Sequence, residues 1–146
     1  MLAEVFAPYP QASERVDMDG PLVPLHPSQA VAISMACHEL ATNAVKYGAL
    51  QGQNGRVSVT WNLAHNGKGE RFLTLLWREA GGPPVHPPKR EGFGSKMIRR
   101  TFLSESGGRA EVSYAPDGAQ CVLVLQLKDT DETAVNVVDA RETAKS

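Results

Sequence analysis

The apolar and polar residues follow a helical period over residues 29–47 and an alternating period over much of the remaining chain. In the helical stretch, apolar side chains recur every three or four positions and predict one buried face. Ser28 is expected to be the N-cap of this helix, and Gly48 its C-cap. The apolar positions on the predicted buried face are Ala36, Leu40 and Ala44.

Alternating residues predict strands before and after the helix. One or two short strands are expected within residues 15–25, and a half-buried strand is expected at residues 57–61. A hairpin turn at residues 65–69 leads into residues 72–77, which are almost all apolar. Because an uninterrupted apolar run is typical of a strand with both faces buried, we expect residues 72–77 to form a central strand covered on both sides.

The second half of the chain contains a loop, a helix and a closing hairpin. Residues 80–92 are rich in proline and glycine and lack apolar periodicity, which predicts a loop. Helical spacing returns over residues 95–106, and residues 112–115 and 121–127 predict a hairpin. Residues 129–146 are polar, and their valines are too sparse for a core, so we expect a disordered tail or linker.

The order of these elements predicts one α/β domain. A short turn or helix at residues 1–9 is followed by strand, helix, two strands, helix and two strands, which suits a two-layer sandwich with a mostly antiparallel sheet. A chain of 146 residues is long enough for one core and too short for two comfortable ones. The predicted domain covers residues 1–128, and residues 129–146 follow it as the tail.

Composition argues against several classes of function. The formal net charge of −1 creates no field that would attract nucleic acid or an anionic lipid surface. No apolar run approaches the length of a membrane span, and the N-terminus lacks the layout of a signal peptide. Cys37 and Cys121 have no metal-ligand spacing and are interpreted as buried thiols in a reducing compartment. We therefore expect a cytoplasmic globular protein without a nucleic-acid partner or a membrane segment.

A polar face runs along the C-terminal half of the predicted helix. Four polar side chains occur at positions i, i+4, i+7 and i+8, so they fall within about a third of a turn of each other. Asparagine is unfavourable inside a helix unless its oxygen has a partner, and an oxygen ligand beside a carboxylate and a lysine suits a Mg²⁺-bound triphosphate. From spacing alone, a solvated outer face is slightly favoured. The four residues are Glu39, Asn43, Lys46 and Tyr47.

Three segments resemble the nucleotide-binding boxes of the GHKL (Bergerat) ATP-binding fold, in the order that this fold uses. The helix around Asn43 resembles the N-box, residues 77–82 (WREAGG) resemble the first glycine box, and residues 92–98 (GFGSKMI) resemble the second. The resemblance covers about residues 2–127. Three boxes in the right order are a more specific signal than any one of them.

The resemblance becomes more specific with the combination of His38, Trp77 and Glu79. This combination resembles the one for which the HWE family of sensor histidine kinases is named. The resemblance implies a two-layer α/β sandwich with a mixed, mostly antiparallel sheet covered by about three helices. It also implies ATP and Mg²⁺ as ligands, with Asn43 as the Mg²⁺ ligand and Glu79 accepting a hydrogen bond from the adenine amino group. Glu39 is implied as the catalytic base for an incoming imidazole, with positioning of Mg²⁺ or water as the milder alternative.

The remaining candidate residues surround the implied nucleotide. Lys46 is expected to contact a phosphate and Tyr47 to line the pocket, and a structural role is almost equally consistent with both. For His38 a satisfied half-buried histidine is favoured over nucleotide contact, and for Trp77 packing beneath the pocket is favoured over stacking on adenine. The glycines are expected to let the backbone approach the base and the phosphates. The candidate ATP-binding residues are His38, Asn43, Lys46, Tyr47, Glu79, Gly81, Gly82, Gly92, Phe93, Gly94, Ser95 and Lys96.

The resemblance implies the catalytic domain of a protein histidine kinase. Such a domain transfers the γ-phosphate of ATP to a histidine on a dimerising helical hairpin, for which 146 residues leave no room. The chain alone is therefore not expected to autophosphorylate. We expect a piece of a longer bacterial kinase, with a naturally solitary ATP-binding domain as the second possibility. The expected partners are ATP, the phosphoacceptor hairpin and a downstream response regulator.

Three alternatives remain open from the sequence. An anti-sigma-like serine kinase or a solitary ATP-binding regulatory module of the GHKL type would need no hairpin. A GHKL ATPase is suggested only by Glu39, which stands where the commonest histidine kinase pattern has asparagine. The least favoured alternative is an α/β sandwich whose nucleotide-binding boxes are no longer functional, because Asn43, Lys46 and Glu79 are chemically competent.

Overall fold

A five-stranded sheet and one long α-helix form the frame of the molecule. The computed structural model describes residues 2–83, 96, 98–100, 102, 108–115, 117–130 and 133–137. Within these residues, α1 spans Pro27–Lys46, and 3-10 helices lie at Leu2–Phe6 and Ser13–Arg15. The strands are β1 (Val16–Asp19), β2 (Pro24–Leu25), β3 (Arg56–His65), β4 (Arg71–Ala80), β5 (Arg109–Ala115), β6 (Gly118–Gln126) and β7 (Val135–Asn136).

The large sheet has the strand order β1-β3-β4-β6-β5. β1 runs parallel to β3, whereas β3–β4, β4–β6 and β5–β6 are antiparallel pairs. The β3–β4 and β5–β6 hairpins lie where the turn residues and the alternating pattern predict them. The predicted α/β sandwich with a mostly antiparallel sheet is therefore confirmed.

β4 lies in the middle of the sheet, as predicted, but only one of its faces is buried. Every second side chain from Leu73 to Glu79 is buried, whereas the side chains between them are half-buried or exposed. The expectation of cover on both sides is wrong, because α1 and the first 3-10 helix both pack into the core on the face that carries Trp77. Leu76 thus belongs to an apolar run without being fully buried.

The core lies between this face of the sheet and α1. The predicted apolar positions of α1, which are Ala36, Leu40 and Ala44, are all buried. Cys37 on α1 and Cys121 on β6 are buried free thiols, as predicted. Neither α1 nor another helix in the described part of the chain is long and apolar enough to cross a bilayer.

The N-cap of α1 is His26, not Ser28. The His26 Nδ1 atom accepts a hydrogen bond from the backbone N–H of Ser28 at 3.2 Å. Pro27 occupies the first helical position, where its missing N–H leaves no donor unsatisfied. The Ser28 prediction is wrong because the imidazole supplies the acceptor that serine or aspartate usually provides at a helix start.

α1 ends at Lys46, with Tyr47 as its C-cap. The Tyr47 N–H donates to the Asn43 carbonyl oxygen at 2.8 Å, and the Gly48 N–H donates to the Ala44 carbonyl oxygen at 3.1 Å. Gly48 is not among the described glycines with positive φ, so it is not the left-handed cap that the sequence predicts. The helix end therefore does not explain why residue 48 is a glycine.

Residues 133–137 return to the fold. β7 pairs with β2 in an antiparallel arrangement, and Val137 is fully buried. The Val137 N–H donates to the Val23 carbonyl oxygen at 3.2 Å, and its own carbonyl oxygen accepts the Leu2 N–H at 3.1 Å. The expectation of a disordered tail is wrong for these residues, because a two-residue strand and one buried valine leave no periodic pattern in the sequence.

Candidate functional site

The C-terminal half of α1 presents a polar face beside its buried one. Glu39 and Asn43 are half-buried and lie one turn apart. Lys46 and Tyr47 are exposed, and Tyr47 retains 71% of its accessible surface. This face offers a carboxylate and a carboxamide oxygen as ligands for a hard cation, and an ammonium group for a phosphate.

Glu79 is a buried carboxylate near the end of β4, with only 4% of its surface exposed. Its Oε1 atom accepts a hydrogen bond from the Ala49 N–H at 3.0 Å, and its Oε2 atom accepts one from the Trp77 Nε1–H at 3.1 Å. Such donors offset the cost of removing a carboxylate from water. Because each carboxylate oxygen has two acceptor sites, one site on each oxygen remains beyond these two bonds.

The burial of Glu79 changes its protonation. Burial raises the pKa of the Glu79 carboxyl group above its ordinary value, because desolvation disfavours the charged form. The hydrogen bonds from Ala49 and Trp77 lower the pKa, since they stabilise the carboxylate, but burial has the larger effect. A residue with a raised pKa and oriented donors is a candidate functional group.

Trp77 packs beneath this carboxylate. It is 1% exposed, and its ring stacks on Phe6 with a centroid distance of 5.8 Å and an interplanar angle of 15°. The expectation that Trp77 is a packing residue is confirmed. Its indole N–H, which donates to Glu79, was not anticipated from the sequence.

Gly48 is a glycine because of Glu79. A Cβ atom on residue 48 would overlap the Oε1 atom of Glu79, which is fixed there by the Ala49 N–H. It would also lie 3.0 Å from the Cα atom of Ala44. The carboxylate therefore occupies the space that a side chain at residue 48 needs.

Glycines from two further segments pack around Ala49. A Cβ atom on Gly82 would overlap the Ala49 Cα atom, and one on Gly55 would overlap the Ala49 carbonyl oxygen. Gly81 has a φ of +76°, which a residue with a side chain rarely adopts. The glycines after β4 thus make room for the loop at residues 47–55, and their expected approach to a base stays a prediction.

Arg15 holds the far side of this loop. Its Nη1 atom donates to the Gly55 carbonyl oxygen and its Nη2 atom to the Leu50 carbonyl oxygen, each at 3.2 Å. Together with the bond from Ala49 to Glu79, these contacts fix the loop at both ends. A guanidinium group can do this because its donors form a planar fork.

The other predicted site residues divide into described and undescribed ones. His38 is exposed, so the expectation of a half-buried histidine is wrong; its carbonyl oxygen accepts a hydrogen bond from Thr42 Oγ1 at 2.9 Å. Lys96 is helical and exposed, and the described residues of the predicted helix at 95–106 are all helical. The residues of the second glycine box that lie outside the described part are Gly92, Phe93, Gly94, Ser95 and Met97.

The oxygen ligands on α1 suit a cation that is shared with phosphates. In the described ranges, no cluster of three or more His, Cys, Asp or Glu side chains is placed to hold a metal ion. Mg²⁺ is usually bound through one or two protein oxygens together with substrate phosphates and waters. The half-buried carboxamide of Asn43, with Glu39 one turn away, fits that arrangement.

Comparison with known proteins gives a family. No protein-family model matches the chain. The blue-light-activated histidine kinase of Brucella anthropi is 38% identical over 104 residues, which make up 71% of this chain and 21% of that protein. The chain thus spans about a fifth of the length of this curated relative.

Solved histidine kinase domains share the fold. The histidine kinase domain of the Erythrobacter litoralis EL346 blue-light activated histidine kinase has a TM-score of 0.62 at 14% identity, covering 86% of this chain and 57% of that one. The nucleotide-free catalytic domain of histidine kinase ThkA has a TM-score of 0.60 at 16% identity, covering 86% and 89%. The chain belongs to the histidine kinase family.

In this histidine kinase chain, the acid near the end of the central strand meets the segment just after the helix that carries Asn43. Glu79 bonds to Ala49, and the Leu50 N–H donates to the Ala44 carbonyl oxygen of α1 at 3.0 Å. Sequence reasoning missed the backbone N–H of Ala49 and the Arg15 guanidinium. No motif marks either of them, because each contacts a segment that lies 30 or more positions away in the chain.

Proposed function

We propose that this chain is the ATP-binding catalytic domain of a two-component sensor histidine kinase of the HWE type. The observation that carries the proposal is the hydrogen bond between Glu79 and Ala49, which joins an acid near the end of β4 to the segment following the Asn43 helix. The 38% sequence identity with a histidine kinase of Brucella anthropi supports the proposal. The domain is taken as residues 1–128, and residues 129–146 as a linker that packs back on β2 at residues 133–137.

The nucleotide is proposed to lie between α1 and the glycine-rich segments. Glu79 accepts a hydrogen bond from the adenine amino group, using an acceptor site that Ala49 and Trp77 leave free. Asn43 supplies a Mg²⁺ ligand, and Lys46 contacts a phosphate oxygen as a point charge. The other proposed ATP contacts are His38, Tyr47, Gly81, Gly82, Gly92, Phe93, Gly94, Ser95 and Lys96.

Glu39 is the proposed base in phosphotransfer. The bond between the γ-phosphorus and its bridging oxygen breaks, ADP leaves with the electron pair, and a bond forms between phosphorus and an imidazole nitrogen. The imidazole proton passes to the half-buried carboxylate of Glu39. Mg²⁺, when bound, would neutralise charge on the phosphates.

The acceptor histidine is proposed to lie on a dimerisation hairpin outside this chain, and a response regulator receives the phosphate from it. ThkA, whose catalytic domain has the same fold, has been solved in complex with the response regulator TrrA. The relative that supports the family is bacterial, and ATP is available in the cytoplasm. A cytoplasmic bacterial location is therefore part of the proposal.

The direct test combines this chain with a phosphoacceptor hairpin and radiolabelled ATP. The hairpin of the Brucella anthropi relative is the natural acceptor to use. We expect labelled hairpin whose phosphate survives base and is lost in acid, as a phosphohistidine is. Glu39→Ala is expected to abolish the transfer while ATP still binds, and Asn62→Ala, at an exposed site on β3, is the control.

The outcome separates the proposal from its alternatives. Phosphate that survives acid and is lost in base would show serine phosphorylation and favour the anti-sigma-like kinase. ATP binding without transfer to any histidine kinase hairpin would favour a solitary regulatory module. The histidine kinase relatives and folds support neither of these alternatives.

A further inference from the structure

We propose that Trp77 is a positioning residue of the nucleotide site, whose indole N–H orients the Glu79 carboxylate toward the adenine amino group. This inference rests on the proposed function, because it assigns the donor that directs an acid proposed to bind adenine. Trp77 does not contact the nucleotide in this arrangement. It acts through Glu79.

The two side chains lie on the same face of β4. Trp77 and Glu79 are two positions apart on the strand, so both point to the side that packs against α1. The Nε1 atom of Trp77 lies 3.1 Å from the Oε2 atom of Glu79. Because Trp77 is 1% exposed, water has little access to its N–H, and the carboxylate provides the acceptor that a buried indole needs.

The direction of the indole N–H is itself fixed by packing. The Trp77 ring stacks on Phe6, which is 2% exposed and belongs to the 3-10 helix Leu2–Phe6. This helix is tied to the C-terminal strand segment through the Leu2 N–H and the Val137 carbonyl oxygen. Burial and this stacking hold the ring so that its N–H points at Glu79.

Two donors on different oxygens set the plane of a carboxylate. Ala49 holds Oε1 at 3.0 Å and Trp77 holds Oε2. The terminal torsion of a glutamate is broad when it is free, so a carboxyl group with only the Ala49 bond can rotate. Loss of the indole donor is therefore expected to weaken adenine binding and to reduce the preference for adenine over guanine.

Trp77→Phe removes the donor and keeps an aromatic ring, and Trp61→Phe is its matched control. Trp61 is 2% exposed, and its indole N–H donates to the Pro21 carbonyl oxygen at 2.7 Å. Both substitutions thus remove the same atoms and one buried donor from the same sheet. Of these two indoles, that of Trp77 donates to Glu79 and that of Trp61 donates to Pro21.

The measurement is a calorimetric titration of the wild-type chain and both variants with Mg·ATP and Mg·GTP between about pH 5 and pH 8. We expect Trp77→Phe to bind Mg·ATP about five- to tenfold more weakly and to discriminate less against GTP. As the pH falls, Trp77→Phe should lose affinity at a higher pH than the wild-type chain does. The reason is that the indole, like the Ala49 amide, lowers the pKa of Glu79, so removing the indole raises this pKa further. Trp61→Phe keeps the wild-type affinity, selectivity and pH profile.

The inference is overturned if folded Trp77→Phe keeps the wild-type affinity and pH profile, or if Trp61→Phe shows the same losses. Failure of the wild-type chain to bind Mg·ATP would instead overturn the proposed function. If Trp77→Phe does not fold, Phe6→Leu replaces it, because this change leaves the indole in place and frees its ring. A smaller shift of the pH profile in the same direction supports the inference, and an unchanged profile overturns it.

Discussion

The Glu79 carboxylate fills the space beside Gly48, so the acid near the end of β4 and the glycine just beyond α1 require each other. A side chain at residue 48 displaces Glu79, and displacement of Glu79 removes the acceptor from the Ala49 N–H. The junction therefore couples the two segments that the proposed nucleotide would bridge. It gives the account a mutational test that needs no ligand.

Gly48→Ala is expected to lower the free energy of unfolding by about 1–3 kcal/mol, because the added methyl group overlaps a buried, hydrogen-bonded carboxylate. Gly52→Ala is the control, since nothing lies within 4 Å of a Cβ atom there. Urea denaturation of both variants makes the comparison. In a Glu79→Ala background the cost of Gly48→Ala should shrink, and an unchanged cost would mean that the overlap is not what residue 48 avoids.

The stability of the wild-type chain relative to Glu79→Gln is expected to fall as pH rises. Burial raises the pKa of Glu79 in the folded chain, so the folded state binds a proton where the unfolded chain has released it. The stability from this proton is complete below the unfolded pKa and is lost as pH rises through the folded pKa. Free energies of unfolding at a series of pH values give the difference, and Glu14→Gln controls for removing one exposed charge. A difference independent of pH would contradict the raised pKa.

The two thiols are expected to resist labelling in the folded chain. Burial raises the pKa of Cys37 and Cys121 to about 12, with a further contribution to Cys37 from Cys121. Almost no thiolate is then present at neutral pH, and the thiolate is the nucleophile. Reaction with a disulfide reagent should be slow in buffer and fast in urea. Rapid labelling of either cysteine in buffer would show that the core around it is open.

Val137→Ala is expected to destabilise the chain by about 1–3 kcal/mol, because the side chain is fully buried where β7 meets the first 3-10 helix. Val135→Ala, at a site that is 38% exposed, should change stability by less than about 0.5 kcal/mol. Thermal unfolding of the two variants measures the contrast. Equal stability of the two variants would mean that residues 133–137 do not pack against the rest of the fold.

Periodicity was enough to predict the helix, the hairpins and the central strand. Both patterns, the helical and the alternating one, depend only on residues that are neighbours in the chain. The predicted apolar side chains of α1 are buried, and so is every second side chain from Val57 to Trp61. The family was predicted from the resemblance of three segments to nucleotide-binding boxes, and composition and spacing alone did not predict it. In particular, spacing alone slightly favoured a solvated surface for the polar face with Asn43.

Most of what the sequence did not reveal depends on contacts between distant segments. The link from Glu79 to Ala49 and the two bonds of Arg15 join residues 30 to 40 positions apart and follow no local rule. The His26 cap was missed because histidine is an uncommon acceptor at a helix start. Val137 was missed because a single buried side chain has no period.

The central claim is that Asn43 and Glu79 bind the two ends of one adenine nucleotide, and a calorimetric titration with ATP in the presence and absence of Mg²⁺ tests it most directly. We expect ATP to bind at one site and Mg²⁺ to strengthen this binding. In Asn43→Ala, the affinity for ATP in the presence of Mg²⁺ should fall by about tenfold or more, because the Mg²⁺ effect is lost. Asn62→Ala, at an exposed asparagine on β3, should bind as the wild type does. Absence of ATP binding, or Mg²⁺-dependent binding that survives in Asn43→Ala, would contradict the account.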